Sequence, residues 1–128
     1  MEKVNSESLI AVAKEASQHA YSPYSGIKVG ATLLCENGKI YTGANVENAS
    51  YGATICAERT AFVKAVSEGE RKFQCIAIAG SIRNLVPCGM CRQFMAEFNP
   101  ELAVVYEDEE GVMVETNLKE LFPSQFKL

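Results

Sequence analysis

Apolar residues recur at helical spacing from about Ser6 to Ala20, at Leu9, Ile10, Val12, Ala13 and Ala16, which predicts an amphipathic helix capped by Asn5 or Ser6. Tyr21-Ser22-Pro23-Tyr24-Ser25-Gly26 breaks that period and predicts a loop. From Lys28 to Cys35 the pattern alternates, meets the turn Glu36-Asn37-Gly38-Lys39, and returns from Lys39 to Val46 as the second arm of a hairpin. A polar loop follows to Gly52. Ala57, Ala61, Phe62, Ala65 and Val66 then mark a helix from about Thr54 to Glu68, ended by Gly69. Phe73 to Gly80 is a short apolar run, expected as a strand covered on both faces. A third helix begins near Pro87 or Cys88, carries Phe94, Met95 and Phe98 inward, and stops before Pro100. Strands at Leu102–Tyr106 and Val112–Glu115 are joined by Glu107-Asp108-Glu109-Glu110-Gly111, too short for a parallel crossover, so this pair is expected to be antiparallel. A short helix at Asn117–Leu121 and the tail Phe122–Leu128 complete the pattern. The expected fold class is α/β: three layers, α/β/α, around a five-stranded mixed sheet, in a single domain over residues 1–128.

Composition narrows the function classes. Hydrophobic residues at 48% and charged residues at 22% match a soluble globular protein. No apolar run approaches the roughly 20 residues of a membrane helix, and Met1-Glu2-Lys3-Val4-Asn5 lacks the apolar core of a secretory signal. The expected location is cytoplasmic, where five cysteines stay reduced and Cys-x-x-Cys means metal or redox chemistry rather than a disulfide frame. A formal net charge of -4 lacks the basic surface that grips a nucleic acid polymer, so a small, weakly charged partner is expected.

The candidate chemistry lies in Cys56-Ala57-Glu58-Arg59 and Pro87-Cys88-Gly89-Met90-Cys91-Arg92-Gln93. Cys88 and Cys91 are three apart at a helix start and share a face, while Cys56 opens another helix. Helix N-termini favour thiolates. Three Cys ligands with one open position describe a catalytic rather than a structural zinc. Zinc deaminases carry His-x-Glu…Pro-Cys-x-x-Cys, with Cys allowed in place of the His. Cys56 stands where that His would be and Glu58 where the Glu would be. Three thiolates on Zn2+ leave a net charge of -1, which makes water bound there harder to ionise. Arg59 is the residue expected to offset that charge, and Arg92 stays open between the same role and a solvated helix face. His19, Cys35 and Cys75 lie outside the motifs; the first reads as a helix-end surface residue and the cysteines as inert core.

On these motifs the chain resembles the cytidine deaminase family in its small, three-cysteine form, over nearly its whole length. The resemblance implies one Zn2+ per chain held by Cys56, Cys88 and Cys91, Glu58 as catalytic proton shuttle, and hydrolytic deamination of cytidine or deoxycytidine. It implies substrate contacts from Asn45 and Glu47 (ribose), from Ala49, Tyr51 and Ala57, and from Ile27 toward the base. It also implies that Arg59 bonds the ligand sulfurs. The family's tetramers push a C-terminal aromatic, here Phe126, into a neighbouring site, so a homotetramer is expected. Free-nucleoside members are similar in their antiparallel last strand pair. Blasticidin-type relatives do not keep the carboxylate at the Glu47 position. Two residues depart from the family: Ile27 replaces an aromatic, and Val86 a serine.

Other readings are a deaminase of a related aminopyrimidine nucleoside or blasticidin-type antibiotic, a non-catalytic zinc module and a Cys-x-x-Cys redox protein. The module needs a fourth ligand from Cys35, Cys75 or His19, and the redox reading leaves Cys56-x-Glu58 unexplained.

Overall fold

The structure, a computed structural model, describes residues 5–128; the sequence reading of Met1–Val4 lies outside the described residues. Helix α1 (Ser6–Ala16) starts where Asn5 Oδ1 accepts the Ser8 N–H at 3.1 Å, so Asn5 is the cap. It ends earlier than its periodicity suggests. Ser17–His19 tightens into a 3-10 turn, which places His19 off the α-helix. Strands β1 (Val29–Cys35) and β2 (Ile40–Ala44) form the expected hairpin, with Gly38 at φ +91° in its turn.

Helix α2 (Ala57–Ser67) begins three residues later than its sequence pattern suggests. The delay has a cause: Tyr51–Ala53 forms a separate 3-10 turn, and Ile55 exchanges backbone hydrogen bonds with Val46 at 2.9 Å. Strand β3 (Phe73–Gly80), helix α3 (Gly89–Phe98), strands β4 (Ala103–Glu107) and β5 (Met113–Asn117) and the one-turn helix α4 (Leu118–Leu121) follow. The sheet order is β2-β1-β3-β4-β5, with β3 and β4 parallel and the other pairs antiparallel. The last pair is antiparallel, as its short acidic connection requires.

The two faces of this sheet are covered unequally. Leu9, Ile10 and Ala13 of α1 pack with Cys75, Ala77, Ala79 and Val105 on one side. On the other, α2 and α3 bury Ala57, Ala61, Phe62, Ala65, Cys91 and Met95 with Ala31, Leu33, Ile76, Ile78 and Val104. Phe62, Phe73, Phe94 and Phe98 pack there with ring centroids 4.8 to 6.1 Å apart, each such pair contributing about 0.5–1.5 kcal/mol beyond area burial. Cys35 and Cys75 belong to opposite faces, and burial pushes their thiols up to about 11 and about 12. Both are inert core residues, as expected.

One glycine sets where α2 sits. A Cβ on Gly43 of β2 would lie 2.5 Å from both the Ala57 carbonyl oxygen and the Ala61 nitrogen. Helix and strand therefore meet backbone to backbone at the first turn of α2, the turn that carries Glu58 and Arg59. Among the described residues no helix is long and apolar enough to cross a membrane.

Candidate active site

Two helix starts converge on the α2–α3 side of the sheet. Cys56 is the residue before α2 and Cys88 the residue before α3, both with extended backbone, and Cys91 lies in the first turn of α3. All three sulfurs lie within 4.8 Å of one another. The Cys56–Cys88 separation is 3.8 Å and the Cys88–Cys91 separation 3.4 Å. Tetrahedral zinc with Zn–S bonds of about 2.3 Å requires sulfurs roughly 3.8 Å apart, so the donor set fits that ion. Among the described residues no fourth His, Cys, Asp or Glu joins the cluster. Cys91 is buried, Cys56 half-buried and Cys88 exposed, so the cluster opens toward solvent on the Cys88 side.

The electrostatics follow from crowding. A hydrogen bond from the Cys91 thiol, then one from Arg59, holds Cys56 down to about 5, against the burial that opposes it. That same bond and burial push Cys91 far up. Arg59 Nη2 reaches Cys56 Sγ at 3.8 Å and the Thr54 carbonyl at 3.3 Å. Its Nε is a buried nitrogen without a partner, an orphan beside the sulfurs that fits a site whose charge the guanidinium offsets.

Arg92 takes the other course. Its Nε donates to the Pro87 carbonyl and its Nη1 to the Leu121 carbonyl, both at 2.8 Å. It ties the start of α3 to α4, and neither of these bonds goes to a sulfur.

Glu58, in the first turn of α2, is 4% exposed. Burial raises its carboxyl to about 7, and the Cys56 charge adds to the rise, while its own N–H, the Cys91 thiol and Arg59 oppose it. Ala57 beside it is fully buried, with its carbonyl against Gly43.

A cavity of about 350 Å³ is lined by Tyr24, Ser25, Glu47, Asn48, Tyr51 and Thr54. Thr54 joins it to the thiols, since its carbonyl shares Arg59 Nη2 with Cys56. Glu47 Oε1 accepts the N–H groups of Tyr24 at 2.9 Å and Ser25 at 3.1 Å, and Oε2 accepts the Ser25 hydroxyl. These bonds, the hydroxyl's first, hold Glu47 below the usual carboxylate range. Asn45 reaches the same segment differently: Oδ1 accepts Val29 N–H at 2.8 Å and Nδ2 donates to the Ile27 carbonyl at 2.9 Å. It is buried, and much of its hydrogen-bonding capacity shapes the wall bearing half-buried Ile27.

Tyr51, 77% exposed, stands edge-on to Tyr24 at 6.1 Å, and Ala49 and Val86 are exposed. Phe126 is 68% exposed and lines a different hollow, of about 420 Å³, with Gln93, Ala96, Pro100 and Gln125. The structure does not bring it to the Glu47 cavity of its own chain. The sequence reading assigned no role to Ser25 or Thr54. Nothing in spacing points to them, because their partners lie 22 residues away for Ser25 and, for Thr54, in a backbone carbonyl bond.

Comparison with known proteins agrees with this geometry. The family profile described as "Cytidine and deoxycytidylate deaminase zinc-binding region" matches residues 3–107. The chain is 48% identical over 122 residues to a cytidine deaminase of Sporosarcina psychrophila, covering 94% of this chain and 90% of the relative. It is 49% identical over 120 residues to one from Halalkalibacterium halodurans, covering 92% and 91%. The crystal structure of a cytidine deaminase from Burkholderia pseudomallei superposes with a TM-score of 0.88 at 43% identity, covering 96% of this chain and all of the other.

Proposed function

The chain belongs to the cytidine and deoxycytidylate deaminase family with this zinc-binding region, and on that premise we propose that it converts cytidine or deoxycytidine and water to the uracil nucleoside and ammonia. The observation that carries the reading is three thiols within 4.8 Å of one another, with a buried Glu58 two residues from one of them. We read residues 1–128 as one deaminase domain. Cys56, Cys88 and Cys91 hold one Zn2+, and Arg59 offsets the surplus negative charge of three thiolates. When bound, the ion supplies Lewis acidity that draws the pKa of water toward neutrality. Glu58 accepts the proton of the attacking water and passes it to the ring nitrogen beside C4, then takes the proton of the hydroxyl added at C4 and delivers it to the departing amine. Its burial keeps bulk water from competing for those transfers.

Glu47 and Asn45 serve the sugar in this reading. The carboxylate has about one acceptor site left, on Oε2, beyond its three hydrogen bonds, and a ribose hydroxyl donates to it. Ile27 lies toward the base, Tyr51 and Ala49 border the sugar, and the main chain of Ala57 faces the ring. A free nucleoside suits the net charge of -4 better than a polymer does. The cytoplasm, where thiols stay reduced, is the compartment this ligand set needs. For assembly we propose a homotetramer in which Phe126, exposed on its own chain, helps close a neighbour's cavity.

The test is a substrate panel of cytidine, deoxycytidine, a blasticidin-type antibiotic and single-stranded DNA, read by ultraviolet absorbance and ammonia release beside zinc analysis. Equal amounts of ammonia and uracil nucleoside from cytidine, with one zinc per chain, are expected. Turnover of the antibiotic alone, or of DNA alone, overturns the reading. Light scattering tests the tetramer, and a fully active monomer overturns it.

A further inference from the structure

We propose that Ser25 is a positioning residue for nucleoside binding: its hydroxyl aims the Glu47 carboxylate at the sugar and couples that carboxylate to the wall that faces the base. The proposal rests on the nucleoside reading above and concerns a residue outside the metal motifs. Three observations carry it. Glu47 stands on the loop after β2 and enters the cavity without a helix or strand of its own to fix its side chain. Its carboxylate is instead held at both oxygens by one two-residue segment: Tyr24 and Ser25 N–H on Oε1, the Ser25 hydroxyl on Oε2. The same Ser25 Oγ accepts the Ile27 N–H at 3.0 Å, and Asn45 Nδ2 secures the Ile27 carbonyl at 2.9 Å. A hydroxyl that donates to the carboxylate and accepts from Ile27 links both walls through one atom.

The chemistry explains why a serine suits this place. A carboxylate held by N–H groups at one oxygen alone can still swing about its terminal torsion, which is broad for Glu. A donor on the second oxygen fixes the plane of the group. The acceptor it orders is a carboxylate, which makes a stronger bond to a sugar hydroxyl than a neutral group does. Ordering the acceptor beforehand removes a cost that binding otherwise bears. The group never touches reacting atoms, so the expected effect is on KM.

The experiment compares Ser25→Ala, Ser25→Thr, Glu47→Gln and the double variant Ser25→Ala/Glu47→Gln, measuring kcat, KM for cytidine and zinc per chain. Ser25→Ala should raise KM roughly tenfold, the loss of one hydrogen bond to a charged group, with kcat within about twofold and zinc retained. Ser25→Thr keeps the hydroxyl and should restore KM to within about threefold of wild type. In the Glu47→Gln background the Ser25→Ala effect should shrink below about twofold, because the two residues act as one unit. Unchanged KM in Ser25→Ala beside a raised KM in Glu47→Gln overturns this proposal alone. Additive losses in the double variant, or a fall in zinc content or kcat that matches the rise in KM, also overturn it, by marking a role in the fold. Unchanged KM in Glu47→Gln overturns the sugar reading, and this proposal with it.

Discussion

The thiol cluster and the cavity beside it are built on opposite plans. Cys56, Cys88 and Cys91 stand at the starts of two helices whose inner faces are locked into the core, and Glu58 and Cys91 are themselves buried. Glu47 and Ser25 stand on loops and Tyr51 opens a 3-10 turn; hydrogen bonds across 22 and 23 residues order the carboxylate, and an edge-on ring contact joins Tyr51 to Tyr24. Apolar packing thus holds the proposed zinc ligands, and hydrogen bonds hold the proposed sugar contacts. The first plan fails when a ligand is removed, because two thiols leave the set incomplete. The second degrades by steps, since each bond contributes about 1–3 kcal/mol.

The sharpest way to break this contrast is Cys56→Ala. It should remove zinc and, with it, all detectable deaminase activity, because the remaining two thiols leave an incomplete set. Metal analysis showing full zinc in this variant would remove Cys56 from the ligands. Glu58→Gln comes next: kcat should fall roughly 10⁴-fold, the upper end for an acid–base group serving several transfers, with zinc and fold intact. A variant within tenfold of wild type would assign the proton transfers elsewhere.

On the recognition side, Glu47→Gln should raise KM for cytidine by roughly 10- to 100-fold while zinc content stays full. A matching loss of zinc would merge the two regions into one. Smaller still, Ile27→Phe should lower KM by at most about tenfold, as an added aromatic contributes about 0.5–1.5 kcal/mol against a ring. Loss of activity there would mean that the wall is shaped around Ile27, with the link through Ser25 and Asn45 holding it too rigidly to repack.

How far the molecule is legible in its sequence follows the same division. The hairpin at Gly38, the buried β3 and the antiparallel last pair could be read because their signals are local: a turn residue, an apolar run, a connection of fixed length. The thiols could be read because two short motifs carry them. The start of α2 lies three residues beyond the one its periodicity predicts, because Ile55 pairs with Val46 through a tertiary bridge that no local pattern announces. Arg92 stayed open because its partners, the Pro87 and Leu121 carbonyls, are backbone atoms that no side-chain pattern announces. Ser25 passed as an ordinary loop residue for a similar reason. Its meaning depends on Glu47, a contact made only once β1 and β2 have paired.

Gly43 bears on how this protein can change. At many core positions a new side chain can be absorbed by its neighbours, as volume-conserving swaps commonly are. At Gly43 there is no side chain to adjust, only the strand backbone against that of α2 at Ala57 and Ala61. A side chain at position 43 therefore has to push the turn that carries Glu58 away from the sheet, so this one contact sets how far that carboxylate stands above it.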